Sequence, residues 1–361
     1  MLRIVKRSDI SSRKALVYRV FAVLLALVVS AGVILLLGHN PLKVYASMVT
    51  GSLGTAHRFE ATIIKTIPLV ITSLGIAVAF RMKFWNIGGE GQILMGAYAA
   101  SVVVFSFPDL PSIALLPLMF LAAVIGGGIW ALIPAFFKAQ FGTNETLFTL
   151  MMNYVAIYWV TYLQNGPWKD PQAMGFPQIQ DYPDNAILPD VFGIHMGWII
   201  ALVLIIVMHI FMSRSKKGYE IAVLGESENT ARYAGMNIKK IILIAMLFSG
   251  GLCGLTGMIQ ASAVNNTLAS GISGGYGFTA IITAWLGQLS APLITVVCFL
   301  FAILIQGSNY IQTAFQIPQA SANIIQGMIL FCILGSEFFI QYKVTGQGKQ
   351  TKNPTPVKEG K

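Results

Sequence analysis

A single carboxylate, Glu90, stands in the stretch FRMKFWNIGGEGQ, residues 80–92, between two long apolar runs. Around it are Asn86, Gln92, three glycines, a Trp and two cations, Arg81 and Lys83. Glycines let a backbone turn sharply and approach its neighbours closely. A carboxylate in apolar surroundings must find donors, a cation or water. Two kinds of chemistry fit. In the first, Glu90 is a buried latch that accepts from amides at the start of the following helix, where the dipole favours an anion. Arg81 and Lys83 are then its candidate ion-pair partners, and Asn86 and Gln92 its candidate hydrogen-bond partners. In the second, Asn86, Gly88, Gly89, Glu90 and Gln92 line a polar pathway and move. Gly142, Asn144 and Glu145 form a similar polar turn, and the two turns are expected to meet.

Few other embedded side chains carry chemistry. Asn153, Gln260, Gln288, Gln326, Tyr154, Tyr158 and Trp285 are neutral hydrogen-bonders and aromatics. They suit an uncharged polar solute, and they equally suit contacts between helices. The four histidines, His39, His57, His195 and His209, are scattered, and no pair has zinc spacing. Cys253, Cys298 and Cys332 all lie inside apolar runs, without metal or disulfide spacing. Neither HExxH nor GxxxxGK[ST] occurs. No catalytic centre, metal site, cofactor or phosphate-binding loop is expected, and the glycine-rich GISGGYG, residues 271–277, reads as a close-packed turn at an external mouth.

The elements that hold these residues must be membrane helices. The 361 residues are 55% hydrophobic and only 11% charged, and the mean hydropathy is +0.70. Soluble domains carry about 25% charged residues. Uncharged apolar runs of about 18 residues or more read as transmembrane helices. A β-barrel would show short alternating segments instead. The fold class is all-α and polytopic, with about ten spans: 18–38, 62–80, 91–108, 112–137, 145–163, 195–213, 241–261, 277–289, 291–307 and 322–341. The eighth is short, and the break at Gly287 to Pro292 makes it and the ninth candidates for half-helices or a re-entrant element.

The net charge of +10 does not indicate nucleic acid, because the cations sit in the tails and one long loop rather than on an aromatic-studded face. Their placement orients the chain instead. With the N-terminus inside, twenty Lys and Arg fall in cytoplasmic segments and three outside, with Lys65 placed one turn within the second span. Both termini are therefore expected to be cytoplasmic. Residues 1–17 form a basic N-terminus and 18–341 the membrane domain. Residues 165–194 form an external loop rich in Pro and Asp, either a cap or an ordinary connection. Residues 214–240 form a cytoplasmic loop, and 342–361 a polar tail that reads as disordered.

The cytoplasmic loop reads RSKKGYEIAVLGESENTARYAGMNIKK. Gly218 and Gly225 punctuate it. Ser227 is a candidate N-cap for a short helix from Glu228 to Tyr233, closed by Ala234 and Gly235. A capped, exposed helix held between two spans can transmit a push from a cytoplasmic motor, or simply connect them.

GYEIAVLGESENTARYAGMNIKKIILIAMLFSGGLCGLTGMIQ and FRMKFWNIGGEGQILMGAYAA resemble the signatures of ABC-importer permeases of the branched-chain amino acid, ribose and nucleoside group. The forms NIGGEGQ and GTNETLFTLMMNY are most similar to the nucleoside and simple-sugar permeases. The resemblance covers about residues 63–339. It implies a permease subunit without ATPase activity, in the plasma membrane of a bacterium. It implies a cytoplasmic ABC ATPase, a second homologous permease and an extracytoplasmic substrate-binding lipoprotein as partners, besides the bilayer. Carried onto this chain, it places the coupling contact at Glu226, Glu228, Asn229, Arg232, Tyr233, Ala234 and Gly235. The pathway or gate falls to Asn86, Gly88, Gly89, Glu90, Gln92, Asn144, Glu145, Asn153 and Trp285. Nucleosides are the first substrate expectation, then simple sugars, then branched-chain amino acids. An ion-coupled secondary transporter is the competing class. It is disfavoured because such proteins place ionisable groups near mid-membrane, whereas most carboxylates here read as lying at span ends and in loops, with Glu337, near the inner end of the last span, the nearest exception.

Overall fold

The computed structural model describes residues 2–6 and 12–346. In chain order the elements are β1 (Leu2–Lys6), α1 (Ser12–Leu36), α2 (Pro41–Leu53), α3 (Ala56–Arg81), α4 (Gly89–Ser106), α5 (Ser112–Phe141) and α6 (Glu145–Asn165). They continue as β2 (Asp190–Val191), β3 (Ile194–His195), α7 (Gly197–Arg214), α8 (Lys216–Glu226), α9 (Glu228–Tyr233), α10 (Ile238–Gln260), α11 (Tyr276–Leu286), α12 (Ala291–Phe315), α13 (Gln319–Gln341) and β4 (Tyr342–Gly346). Each of the ten apolar stretches contains a helix. Among the described residues six helices, α3, α5, α6, α7, α10 and α12, are individually long and apolar enough to cross a membrane, or up to seven spans if α1 and α2 are taken as one.

The chain forms two compact units. One comprises the chain ends, residues 1–43 and 317–361, where α1 packs on α13 and β1 pairs antiparallel with β4. The first residues of the expected tail are thus a strand, and 347–361 lie outside the described residues. The other unit, residues 44–316, holds α2 from Val44 onward and the elements from α3 to α12.

Its centre is the crossing of α4, α5 and α10, with α3 alongside. Every residue of α3 from Thr66 to Phe80 is buried, because α10, α11 and α12 all pack on it. Two hydroxyl pairs tie these helices: Thr72 to Thr256 at 3.0 Å and Ser73 to Thr283 at 2.6 Å. The outward faces of α5, α6 and α7 expose Leu121, Ile125, Val155, Val203, Ile206 and Ile210, as a lipid-facing surface does.

Small residues set the spacing at the crossing. A methyl on Gly96 would overlap the backbone of Gly254, one on Gly127 the Gly250 carbonyl, and one on Gly257 the Ile93 carbonyl. Without water in the bilayer, close backbone packing of this kind is a main source of helix association. Gly257→Ala is expected to destabilise by about 1–3 kcal/mol, the range for overpacked cores. Gly271→Ala, with open space at its Cβ, is the control. The check is the monodisperse fraction of detergent-extracted protein on heating, which should fall only for Gly257→Ala.

Two placements differ from the sequence reading. Helix α2 was not foreseen; at 13 residues, with Lys43 in it, it falls below the length that marks a span. It packs on α12 through Gly51 against the Tyr310 ring and Gly307 against Met48. Helix α3 starts at Ala56, six residues before the expected span, so Lys65 lies nine residues into the helix. The short eighth stretch forms α11, the half-helix that its length allowed. Its 11 residues rise about 16 Å, roughly half the hydrocarbon thickness. The preceding segment, with Leu268, Ile272 and Ser273 buried, is irregular. Irregular backbone at membrane depth survives when protein encloses it.

Candidate functional site

The NIGGEGQ turn is not at an end of the bundle. After α3 stops at Arg81, Lys83 adopts a positive φ of 59°, and residues 84–88 fold back along the bundle. Gly89 comes to rest against the Ile76 side chain and the Gly277 backbone. Glu90 is 4% exposed. Its carboxylate accepts from the Gly277 amide at 2.8 Å and the Phe278 amide at 3.3 Å. Ser273 and the Gly275 amide also turn toward it.

These donors belong to the first turn of α11, not to α4 as the sequence suggested. Four amides at a helix start lack intrahelical partners, and α11 has no side-chain cap of its own. Glu90 therefore serves as its cap from 187 residues away. Because Glu90 also sits in the first turn of α4, the positive ends of two helix dipoles converge on one anion. Gly277 makes the approach possible, since a Cβ there would strike the Glu90 amide. The expected pairing with Arg81 or Lys83 is not formed; among the described residues Glu90 has no ion pair. In GISGGYG, Ile272, Ser273 and Gly277 are buried and Gly277 packs against Glu90, whereas Gly271, Gly274 and Gly275 are exposed.

The neutral groups around Glu90 bond to one another. Asn86 and Gln92 exchange two side-chain hydrogen bonds, at 3.1 and 3.0 Å. Asn86 also donates to Ser249 at 3.0 Å and accepts from the Gly88 amide at 3.0 Å. Asn153 accepts from the Gly91 amide at 2.8 Å and donates to the Ile87 carbonyl at 2.9 Å, and Thr149 accepts from the Ile87 amide at 3.2 Å. Helix α6 does meet this turn, through Thr149 and Asn153. Asn144 instead caps α6 at the Leu147 amide, at 3.3 Å, and Glu145 pairs with Lys138 at 2.8 Å. Trp285 stands with Trp85 and Phe80 in an aromatic trio, with ring centres 5.4 to 5.7 Å apart.

The remaining polar candidates are dispersed. Gln260 is buried with its amide nitrogen unpartnered, Gln288 lies exposed in a positive-φ turn, and Tyr154 and Tyr158 are exposed on α6. Gln326 lies on α13, in the other unit. Sequence reasoning missed Thr149, Ser249, Ser273 and Gly277. Single hydroxyls and glycines in apolar runs carry no local signal for a partner far along the chain.

The loop of residues 214–240 holds two helices. Ser215 caps α8 at the Gly218 amide, at 2.9 Å, and Ser227 caps α9 at the Thr230 amide, at 3.2 Å. Gly218 and Gly225 do not punctuate turns. They sit inside α8, where their missing Cβ atoms allow contact with the backbone at Phe211 and Arg81. The second contact pins α8 to the end of α3. In α9 only Ala231 is buried, while Glu228, Asn229, Arg232, Ala234 and Gly235 are exposed, as is Glu226 at the end of α8. Tyr233 is 94% exposed. Arg232 pairs with Glu228 at 2.8 Å, a surface pair of little net worth and so free to change partners. The helix closes as its sequence predicts, with Gly235 at φ 71°. A groove between α9 and the end of α3, lined by Met82, Phe84, Glu226, Ile238 and Ile242, has a volume of about 310 Å³.

Residues 58–334 match the family described as branched-chain amino acid transport system / permease component. The glucose ABC transporter permease protein TsgB13 of Haloferax volcanii is 32% identical, over 90% of this chain and 88% of its own. The guanosine ABC transporter permease protein NupP of Bacillus subtilis is 30% identical, over 87% and 92%. The nucleoside ABC transporter permease protein NupB of Lactococcus lactis is 28% identical, over 89% and 91%. With its bundle of apolar helices, the chain is a multi-pass ABC-transporter permease, a member of the permease-component family of branched-chain amino acid transport systems.

Proposed function

We infer that this permease forms the translocation pathway of an ATP-driven importer of nucleosides in a bacterial plasma membrane. Two of the relatives above are named for guanosine and for nucleosides, with alignments that run nearly end to end. That observation carries the substrate reading. The chain's own neutral side chains agree with an uncharged solute. In this reading a binding lipoprotein delivers the nucleoside at the face formed by residues 165–194, and a second, homologous permease completes the pathway. A cytoplasmic ATPase receives α9. Uptake of labelled guanosine in cells with and without the gene, competed by unlabelled nucleosides and sugars, tests it. Loss of uptake with the gene and competition by nucleosides alone are expected. A simple sugar is the second reading, favoured by the glucose permease among the relatives; competition by glucose alone would select it.

Orientation has its own test. In a Cys332→Ser background, a cysteine at Met174, which is 95% exposed, should label from outside intact cells. One at Tyr233 should not. The reverse pattern would invert the topology.

A further inference from the structure

Helix α6 runs from Glu145, beside the α9 groove, to Asn165, a rise of about 31 Å. Near its far end, residues 165–194 enclose a recess of about 480 Å³, walled by Phe105, Trp168 and Pro183 and rimmed by Lys169, Gln180 and Asp181. Pockets that hold small solutes are of this size, apolar with a few placed polar groups.

The recess is held in a fixed frame. The Tyr182 phenol bonds to Ser101 at 2.5 Å, and the Tyr182 amide donates to the Asn266 carbonyl at 2.8 Å. Burial raises the Tyr182 pKa, so the phenol stays neutral in this frame. Asn185 donates to the Pro108 and Leu110 carbonyls, both at 2.7 Å, and Thr267 to the Ile179 carbonyl at 3.0 Å. The rim, by contrast, has spare capacity. The side chains of Lys169 and Gln180 have no hydrogen-bond or ion-pair partner among the described residues, and Asp181 accepts one long bond, 3.3 Å, from Gln178.

The aromatic wall continues inward. Trp168 meets Phe105 at 5.2 Å and stacks on Tyr98 at 5.4 Å. Tyr98 meets Trp159 at 6.0 Å, and Trp159 meets Tyr162 at 6.1 Å. Tyr162 begins an exposed file on α6 that descends through Tyr158 and Tyr154. Tyrosines in membrane helices favour the interface, where the hydroxyl reaches water. A file of phenols running down a span marks a surface that meets something polar.

We propose that this recess is an entry subsite for nucleosides, resting on the importer reading above. The flat base lies against Trp168 and Phe105, and its donor edge or the ribose hydroxyls bond to Asp181 and Gln180. A nucleobase presents a larger and flatter face to this aromatic wall than a hexose, which stacks only through one face of its C–H groups. Lys169 and Asp181 offset each other in charge, so the site does not select a phosphorylated nucleotide.

The test is tryptophan emission of the purified permease in nanodiscs, titrated with guanosine, adenosine, glucose and guanosine monophosphate. Nucleosides should quench it, while glucose and the monophosphate should not. Trp168→Phe should remove most of the quench, and Asp181→Asn should weaken nucleoside binding about tenfold, the order expected when a hydrogen bond to a charged group is lost. Asp181 is exposed, so its variant should fold even if truncating Trp168 disturbs the Tyr98 stack. Wild-type binding in both variants overturns the subsite. Normal nucleoside binding with loss of binding-protein capture also overturns it, making the recess a protein-docking face. These outcomes leave the importer reading intact, whereas cellular uptake of glucose but not nucleosides would defeat that reading itself.

Discussion

Glu90→Ala should lower the amount of folded permease severalfold, and Glu90→Gln should leave it near normal. The alanine variant leaves the buried Gly277 amide and the part-buried Phe278 amide without their acceptor. Hydrogen bonds to a charged group are worth about 1.5–3 kcal/mol each, a large part of the 5–15 kcal/mol that holds a typical domain together. Glutamine keeps the accepting oxygen and the shape. It gives up the attraction of an anion to two helix starts, about 1 kcal/mol. Fluorescence-detected size exclusion and thermal melting of both variants check this. If Glu90→Ala reaches wild-type level with an unchanged melting temperature, Glu90 is not a latch. If Glu90→Gln is abundant yet transports poorly, the clasp between α4 and α11 also moves during transport.

Gly235→Val should leave the permease folded and inserted, yet uncouple it. No atom lies within 4 Å of the missing Cβ, so the change creates no clash, but φ is 71°. An L-residue in that conformation costs about 1–2 kcal/mol. The end of α9 relieves this by shifting, which displaces Tyr233 from any groove it enters. Substrate-stimulated ATP hydrolysis by the assembled transporter should fall about tenfold, equivalent to about 1.4 kcal/mol of coupling. Arg232→Glu should weaken co-purification with the ATPase by reversing a charge on the same helix. If both variants assemble and hydrolyse ATP like wild type, the loop is a plain connector.

These two sites were unequally legible. The α9 segment could be read almost residue by residue, because caps and a positive-φ glycine are local signals. Ser227 and Gly235 act on residues three or four away. The helices were legible for the same reason, since apolar runs need no partner to be seen. Glu90 was visible as an anomaly, but its partner was not: the amides it caps lie 187 residues further on, and nothing local joins NIGGEGQ to GISGGYG. GISGGYG could be read as a close-packed turn but not as the partner of Glu90. Glu90, read as lying at a span end, is buried among helices, which removes one reason for setting aside an ion-coupled transporter. Its ligation by backbone amides is a structural role that needs no coupling ion.

The most direct measurement is uptake of labelled guanosine into proteoliposomes holding this permease, its partner permease and the ATPase, with the binding protein added outside. The account predicts accumulation that requires ATP on the side of α9, persists with a protonophore present, and is undiminished by excess glucose. Uptake driven by an ion gradient without ATP, or abolished by glucose, would contradict it.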